Sequence, residues 1–480
     1  MGLLDFMAPP KRKPELSKEE MISNVYGNMR LKVFLGIYLG YAAYYLVRKN
    51  LSFATNGMIE DGLIDKTWAG VAMAGIPVAY AVSKFLMGSL SDRSDARKFM
   101  TIGLILSALV MIVAGVIPYP GLEWSNNFML TAGIMFFLMF LVGWLSGMGW
   151  PPCGRVMSHW FSTNERSFKM SIWNTAHNIG NGSLGLIIPA GVILFSTFGI
   201  DQTWRAAFIA PSVIALLFAA LCWWLIRDTP ESCGLPAIED YRKDYSGAKA
   251  KKGEEDKIPF KTLFVDYILK NPALWLIGFA NIFVYFIRYG IADWSPIYLQ
   301  EVCNMSDTDS SFAYTIREYA GIIGTVLCGW LSTKFFQGRC APVNVIYMIL
   351  VVIGVLAYWQ AIPLAEMLAI DVKYIIYVSL ALIGGAIYGP VAMISIQAIS
   401  IVPKNAAGTA AGFMGLLGYL IGDAILSKIA FGYVADSSLG WNFTFLCFLT
   451  TGVLTALICA ISWGKEKKMF KERIAAAQNK

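Results

Sequence analysis

Tyr45-Leu46-Val47-Arg48 and Tyr285-Phe286-Ile287-Arg288 carry the decisive reading of this 480-residue chain. Each places an arginine three residues after a tyrosine, deep in a long apolar run, and the two stand half a chain length apart. That spacing points to a duplicated membrane bundle whose equivalent helices each aim a permanent cation into one site. A guanidinium near mid-bilayer costs about 2.5–3.5 kcal/mol on insertion scales. A chain that accepts this cost twice, symmetrically, is expected to bind an anion between its halves.

Working outward, hydrophobic residues make up 56% of the chain, charged residues only 15%, and mean hydropathy is +0.56. Twelve apolar runs approach or exceed the roughly 20 residues needed to span a bilayer. They lie at 31–49, 67–90, 99–117, 128–150, 168–195, 205–226, 273–297, 311–334, 342–362, 374–402, 407–434 and 441–464. The fold class expected is an all-α membrane protein of twelve transmembrane helices in two pseudo-symmetric six-helix halves. The expected divisions are an N-terminal segment (1–30), a first half (31–226), a cytoplasmic linker (227–270), a second half (271–464) and a tail (465–480). The linker holds nine basic and nine acidic residues.

Lysine and arginine placement gives the orientation. Lys11, Arg12, Lys13 and Lys18 precede the first run; Arg93, Arg97 and Lys98 fill the second loop; Lys465, Lys467, Lys468, Lys471 and Arg473 crowd the tail. The opposite loops offer only Lys66, Arg205 and Lys373 as clear cases. The positive-inside rule then places both termini in the cytoplasm. The net charge of +7 is therefore mostly topological and gives no support to nucleic-acid binding. Met1–Glu20 is charged and contains Pro9, Pro10 and Pro14, unlike a signal peptide, so the first helix is expected to serve as its own insertion signal. Cys153, Cys222, Cys328 and Cys340 fall in helices or cytoplasmic loops, leaving Cys303 as the outside cysteine; no disulfide framework is expected. No Cys/His cluster has metal-ligand spacing, and neither a metal nor a cofactor is expected.

The halves match elsewhere too. Gly88-Ser89-Leu90-Ser91-Asp92-Arg93 corresponds to Gly329-Trp330-Leu331-Ser332-Thr333-Lys334, and Gly149-Trp150-Pro151 to Tyr388-Gly389-Pro390. Parallel six-helix repeats with a site at their interface describe a secondary transporter. Without a Walker A sequence, a gradient must drive it. No nucleophile, paired acid/base or metal site suggests an enzyme.

The polar residues inside the runs define a candidate cavity. Tyr41, Tyr44, Tyr45 and Arg48 fall at i, i+3, i+4 and i+7, one face of a continuous helix. Tyr80 and Lys84 are four apart in the second helix. Trp173, Asn174, His177, Asn178 and Asn181 form a polar stripe in the fifth, and Tyr285 with Arg288 repeats the first-helix pattern in the seventh. Arginine forks suit phosphate oxygens. Two arginines and a lysine at depth would cost roughly 7–10 kcal/mol if uncompensated, and the carboxylates within reach are few: Asp293, Glu318 and Asp423. A divalent anion would offset part of that cost. Tyr388 and Gln397 are further cavity candidates, while Lys49, Asp293 and Glu318 read as a charge network between halves. Bland alternatives stand beside these: structural pairing for the arginines, snorkelling to the cytoplasmic surface for Lys84, and a core hydrogen-bonding role for His177.

The loop Gly88-x-x-x-Asp92-Arg93-x-x-x-Arg97-Lys98 resembles the signature loop of the major facilitator superfamily, where Asp92 and Arg93 would act in a cytoplasmic latch. Longer runs narrow this: Gly40–Asn50, Gly147–Arg155, Arg227–Pro236 and Arg288–Pro296 resemble the organophosphate:phosphate antiporter family of that superfamily, through nearly the whole chain. The resemblance implies exchange of external glycerol 3-phosphate for internal inorganic phosphate by rocking of the halves; a monomer in the bacterial inner membrane is expected, since a single central site requires no partner. It puts the phosphate-binding arginines on Arg48 and Arg288, with Lys84 and His177 completing the site, and it implies entry of the phosphonate fosfomycin. Two positions depart from the pattern. Gln397 stands where the glycerol-phosphate type has histidine, and Arg317 where the family usually has a neutral residue. Hexose-phosphate relatives carry an acidic and a basic residue in the eleventh helix; the corresponding positions here are Ala411 and Met414, implying a smaller organic moiety. Two other functions remain open: a membrane sensor of an organophosphate, and a proton-coupled symporter using His177, Asp293 or Glu318.

Overall fold

The computed structural model describes residues 6–16, 19–91, 93–122, 124–243, 263–402 and 407–478. Among these the chain forms twelve helical spans and no strand. In order they are Glu19–Leu46 with Asn50–Glu60; Lys66–Met73 with Gly75–Ser91; Ala96–Val116; Phe128–Ser146 with Trp150–Trp160; Thr163–Asn174 with Ala176–Thr197; and Ala206–Leu225. Then follow Pro272–Glu301; Asp307–Phe336; Ala341–Trp359; Val372–Ser400; Ala407–Leu416 with Leu417–Ala430 and Phe431–Asp436; and Gly440–Gln478. Among the described residues, nine helices are long and apolar enough to cross a bilayer. The first, second and eighth spans, which carry Arg48, Lys84 and Arg317 with Glu318, fall outside that test. Large apolar side chains such as Phe137, Ile193, Leu217, Ile323 and Val378 are exposed. Lipid, not water, is the solvent that tolerates such a surface.

Chain contacts divide the molecule into two compact units: Met1–Ala54, Ala79–Tyr119 and Phe137–Lys257 form one, and Thr55–Val78, Pro120–Phe136 and Ile258–Lys480 form the other. In the first unit, Gly180 packs so closely on the Ala42 carbonyl and the Tyr45 side chain that a Cβ there would overlap them. The run 227–236 is docked rather than loose. Asp228 accepts two bonds from Arg155, each 3.0 Å, and one from the Ala96 backbone N–H at 3.0 Å. The carboxylate thereby meets the unpaired donors that open helix Ala96–Val116. Asp95 caps the same helix, accepting from the Arg97 N–H at 2.9 Å. Burial raises the Asp95 carboxyl above the ordinary range, and the neighbouring Asp228 adds to the shift. Asp92, the expected latch acid, lies outside the described residues; Arg93 is exposed.

In the second unit, helices Asp307–Phe336 and Val372–Ser400 touch backbone to backbone. A Cβ at Gly384 would overlap the Arg317 carbonyl, and one at Gly324 the Gly385 carbonyl. Small residues let helices approach this closely where the lipid supplies no hydrophobic drive. Helix Lys66–Met73 also belongs to this unit. It seats Gly70 on the Lys428 carbonyl, with Lys66 Nζ 2.7 Å from Glu301 and Thr67 Oγ1 2.9 Å from Asp436.

Candidate functional site

The first helix does not run unbroken to Arg48. It stops at Leu46, and residues 47–49 are non-helical before Asn50–Glu60 resumes. The Asn50 amide fixes the break by donating to the carbonyls of Leu46 (2.9 Å) and Ala207 (2.7 Å). Tyr41 and Tyr45 share a face, their hydroxyls 3.3 Å apart, while the break takes Arg48 off the helix and Tyr44, still within it, points elsewhere. Tyr44 turns into the core, donating to the Met100 carbonyl at 2.8 Å. Arg48 leaves the helix and lies over two rings, its Cζ 4.9 Å from the Tyr45 centroid and 4.4 Å from that of Tyr80.

The fifth span joins this cluster. Trp173 stacks on Tyr41 with centroids 4.4 Å apart, its indole N–H donating to the Ile37 carbonyl at 3.2 Å. The His177 ring lies 5.6 Å from that of Tyr45, and its Nδ1 is bonded to the Asn174 carbonyl. Gly180, one turn beyond His177, permits the close approach. Tyr41, Tyr45, Arg48, Tyr80, Trp173 and His177 thus form one connected group. Asn174 touches it through its backbone, and its side chain is exposed. Lys84 is exposed one turn beyond Tyr80, and Lys49 is half-buried beside Arg48.

The second unit builds a different setting around the same motif. Arg288 sits mid-helix in Pro272–Glu301, only 6% exposed. Its Cζ lies 4.7 Å from the Tyr289 centroid and 4.5 Å from that of Tyr388, so a tyrosine from the tenth span completes the stack. Tyr285 packs edge-on against Tyr419 at 5.1 Å and tilts toward Tyr289 at 5.7 Å. The Tyr388 hydroxyl donates to Glu318 at 2.5 Å; Arg317 bonds the other Glu318 oxygen at 2.5 Å and donates to the Arg288 carbonyl at 2.7 Å. Asp293 accepts from Lys428 at 2.6 Å, and Lys428 also bonds Asp423. The ammonium lies 5.3 Å from the Tyr289 centroid, so Lys428 and Arg288 share that ring.

Asp293 and Glu318 therefore both have partners within their own unit. Arg288, Arg317 and Lys428 face Asp293, Glu318 and Asp423 in number, so these six groups sum to zero when all are ionised. Lys428 was absent from the sequence reading, although a lysine inside an apolar run was a visible signal. The eleventh span does hold an acid–base pair, Asp423 with Lys428, well beyond Ala411 and Met414. Gln397 stands apart from Arg288's neighbours. It donates to Ser462 at 3.1 Å and lines a cavity of about 250 Å³ with Asn271 and Glu466, nine residues and roughly 13 Å along the helix from Tyr388.

Twelve spans with ionisable side chains buried in their apolar lengths define a multi-pass membrane carrier. The Major Facilitator Superfamily model matches residues 37–427, and the chain belongs to that superfamily: it is a transporter, not an enzyme. Within it, the chain is 44% identical to the glycerol-3-phosphate transporter of Bacillus subtilis (strain 168), over 97% of this chain and 99% of that one. It is 43% identical to the glycerol-3-phosphate transporter of Haemophilus influenzae, over 96% and 97%. Among solved structures, a bacterial homolog of the human lysosomal transporter Spinster matches with TM-score 0.63 at 17% identity, over 90% of this chain and 95% of that chain, a likeness of fold alone.

Proposed function

We propose that this protein exchanges external glycerol 3-phosphate, or a closely related small organophosphate, for internal inorganic phosphate by alternating access. Arg48 and Arg288 donate to the phosphoryl oxygens. The observation that carries this reading is that each of the two arginines lies over two tyrosine rings. A ring engages the face of a guanidinium, whereas phosphoryl oxygens engage its edge, so the two contacts do not compete. The near-full-length kinship with two glycerol-3-phosphate transporters supports the choice of ligand. Lys84, His177, Tyr41, Tyr45, Tyr80, Trp173, Asn174, Tyr285 and Tyr388 shape the path of the organic moiety and its charge. The protein acts as a monomer in the inner membrane with both termini cytoplasmic.

The test is uptake of labelled glycerol 3-phosphate into proteoliposomes, with and without internal phosphate and with no pH gradient. Uptake only with internal phosphate, inhibited by fosfomycin and lost in Arg48→Lys, supports the proposal. Uptake into phosphate-free vesicles rejects obligatory exchange in favour of ion coupling. Binding without uptake points instead to a sensor.

A further inference from the structure

We propose that Arg317 is a positioning residue for Arg288. It holds Glu318, and through Glu318 the ring of Tyr388, against the guanidinium that receives the phosphoryl group. The inference rests on that reading of Arg288.

The side chains form a closed circuit. The Arg288 guanidinium lies over the Tyr388 ring, 4.5 Å to its centroid; the Tyr388 hydroxyl donates to Glu318 Oε2 at 2.5 Å; Arg317 Nη1 donates to Glu318 Oε1 at 2.5 Å; and Arg317 Nη2 donates to the Arg288 carbonyl at 2.7 Å. The circuit begins and ends on one residue. Of the two rings under the guanidinium, Tyr289 is fixed by its own helix, as the next residue in sequence. Tyr388 comes from another span, and its hydroxyl is held through Glu318. The plane of that ring sets the plane of the guanidinium, and hence where its donor fork points. Gly384, one turn before Tyr388, rests on the Arg317 carbonyl, so the two helices meet at this level.

Packing alone does not account for the pair. Arg317 and Glu318 are adjacent in a helix, where neighbouring side chains ordinarily diverge. Both must bend to a common point, and each is held there at its far end. The Arg317 side chain is fully buried, yet its Nε finds no acceptor. A buried ion pair gives little net stability over an apolar pair of similar size, whereas buried polar groups can serve specificity of arrangement. A residue placed to hold Tyr388 and the Arg288 backbone has a reason to bear that cost.

The proposal is tested on the purified full-length protein by a double-mutant cycle, read as the Kd for inorganic phosphate alongside thermal melting. One arm is Tyr388→Phe; the other is the apolar pair Arg317→Met with Glu318→Leu, which removes both charges together. Each arm is expected to raise Kd about tenfold, as for loss of one hydrogen bond to a charged group. The combination is expected to raise it about tenfold again from wild type, not about a hundredfold, with melting little changed. Should the apolar pair not fold, Arg317→Lys replaces it. Its single ammonium keeps the charge beside Glu318 but has no fork to bridge two acceptors, and a several-fold rise in Kd is expected. An unchanged Kd in the folded variant, or effects of the two arms that multiply, overturns the role of Arg317. Wild-type protein that binds neither phosphate nor glycerol 3-phosphate removes the reading of Arg288 itself, and this inference with it.

Discussion

Arg48 and Arg288 share a motif and a pair of stacked tyrosines, but they are held by different means. Arg48 sits in a three-residue break between two helices, half-buried, with an asparagine fixing the break below it. Arg288 sits within an unbroken 30-residue helix, 6% exposed, and its carbonyl and its stacked ring are both tied to a second arginine. Around Arg288 three cations meet three carboxylates. The cost assigned from sequence to an uncompensated mid-bilayer cation does not describe that unit. A charge removed from one member of the six leaves the others unbalanced in a low-dielectric setting, where solvent cannot make good the loss.

The largest effect is expected from breaking that balance. Lys428→Met strands Asp293 and Asp423, and loss of one member of a buried ion cluster typically costs about 3–5 kcal/mol. Thermal melting and the yield of folded protein should both fall steeply. Adding Asp423→Asn restores neutrality and should recover most of the loss. A double variant no better than the single one would break the account of this unit as internally neutral. Next in size is the effect on transport. Arg48→Lys and Arg288→Lys keep the charge but lose the fork, and two charge-assisted bonds at about 1.5–3 kcal/mol each imply a drop in phosphate exchange on the order of a hundredfold or more. Near-normal exchange in either variant would mean that its arginine does not hold the phosphoryl group.

The same contrast explains what could be read without a structure. Twelve spans were legible because a bilayer demands about 20 apolar residues each time. The two arginines were legible because nothing apolar hides a permanent charge. What escaped depended on local winding. A helical wheel assumes a continuous helix, so it placed Arg48 with Tyr41 and Tyr45, and the break after Leu46 undid that; Tyr44 lies before the break, and its offset of about 100° from Tyr45 turns it into the core. Asp423 and Lys428 are five apart, about 140° around an α-helix at 3.6 residues per turn; the π-helical winding of Leu417–Ala430, with its i→i+5 bonds, brings them together. The approach of Tyr388 to Glu318 accompanies glycine contacts between the eighth and tenth spans, at Gly384 and Gly324. Pattern marked Tyr388 as a cavity candidate and Glu318 as part of a charge network, but it did not pair the two.

Smaller tests sharpen the comparison. Tyr80→Leu removes one ring from Arg48, and a cation–π contact of about 1 kcal/mol corresponds to roughly a fivefold rise in KM for exchange. Tyr289→Leu should cost more, about tenfold, because that ring serves both Arg288 and Lys428. Equal effects would argue that the two settings differ in charge but not in how firmly they hold their arginine.

The smallest effect sets two carboxylates of the first unit against each other. Burial raises the Glu165 carboxyl, but its bond and charge contact with Arg30 outweigh this and leave it below the ordinary range. Because the folded value is depressed, the stabilisation is present above the unfolded value of about 4.3 and is lost as pH falls through the folded one. Asp95 is shifted the other way, so its protonation favours the folded state as pH drops toward its raised value. Melting curves of wild type and Glu165→Gln in detergent, from pH 7 to about pH 3, should therefore differ by roughly 0.5 kcal/mol near neutrality and converge in acid. Curves that stay parallel throughout would show that the Arg30–Glu165 pair contributes nothing that depends on its charge, leaving the capping of helix Thr163–Asn174 by Ser162 and Glu165 as the residue's whole role.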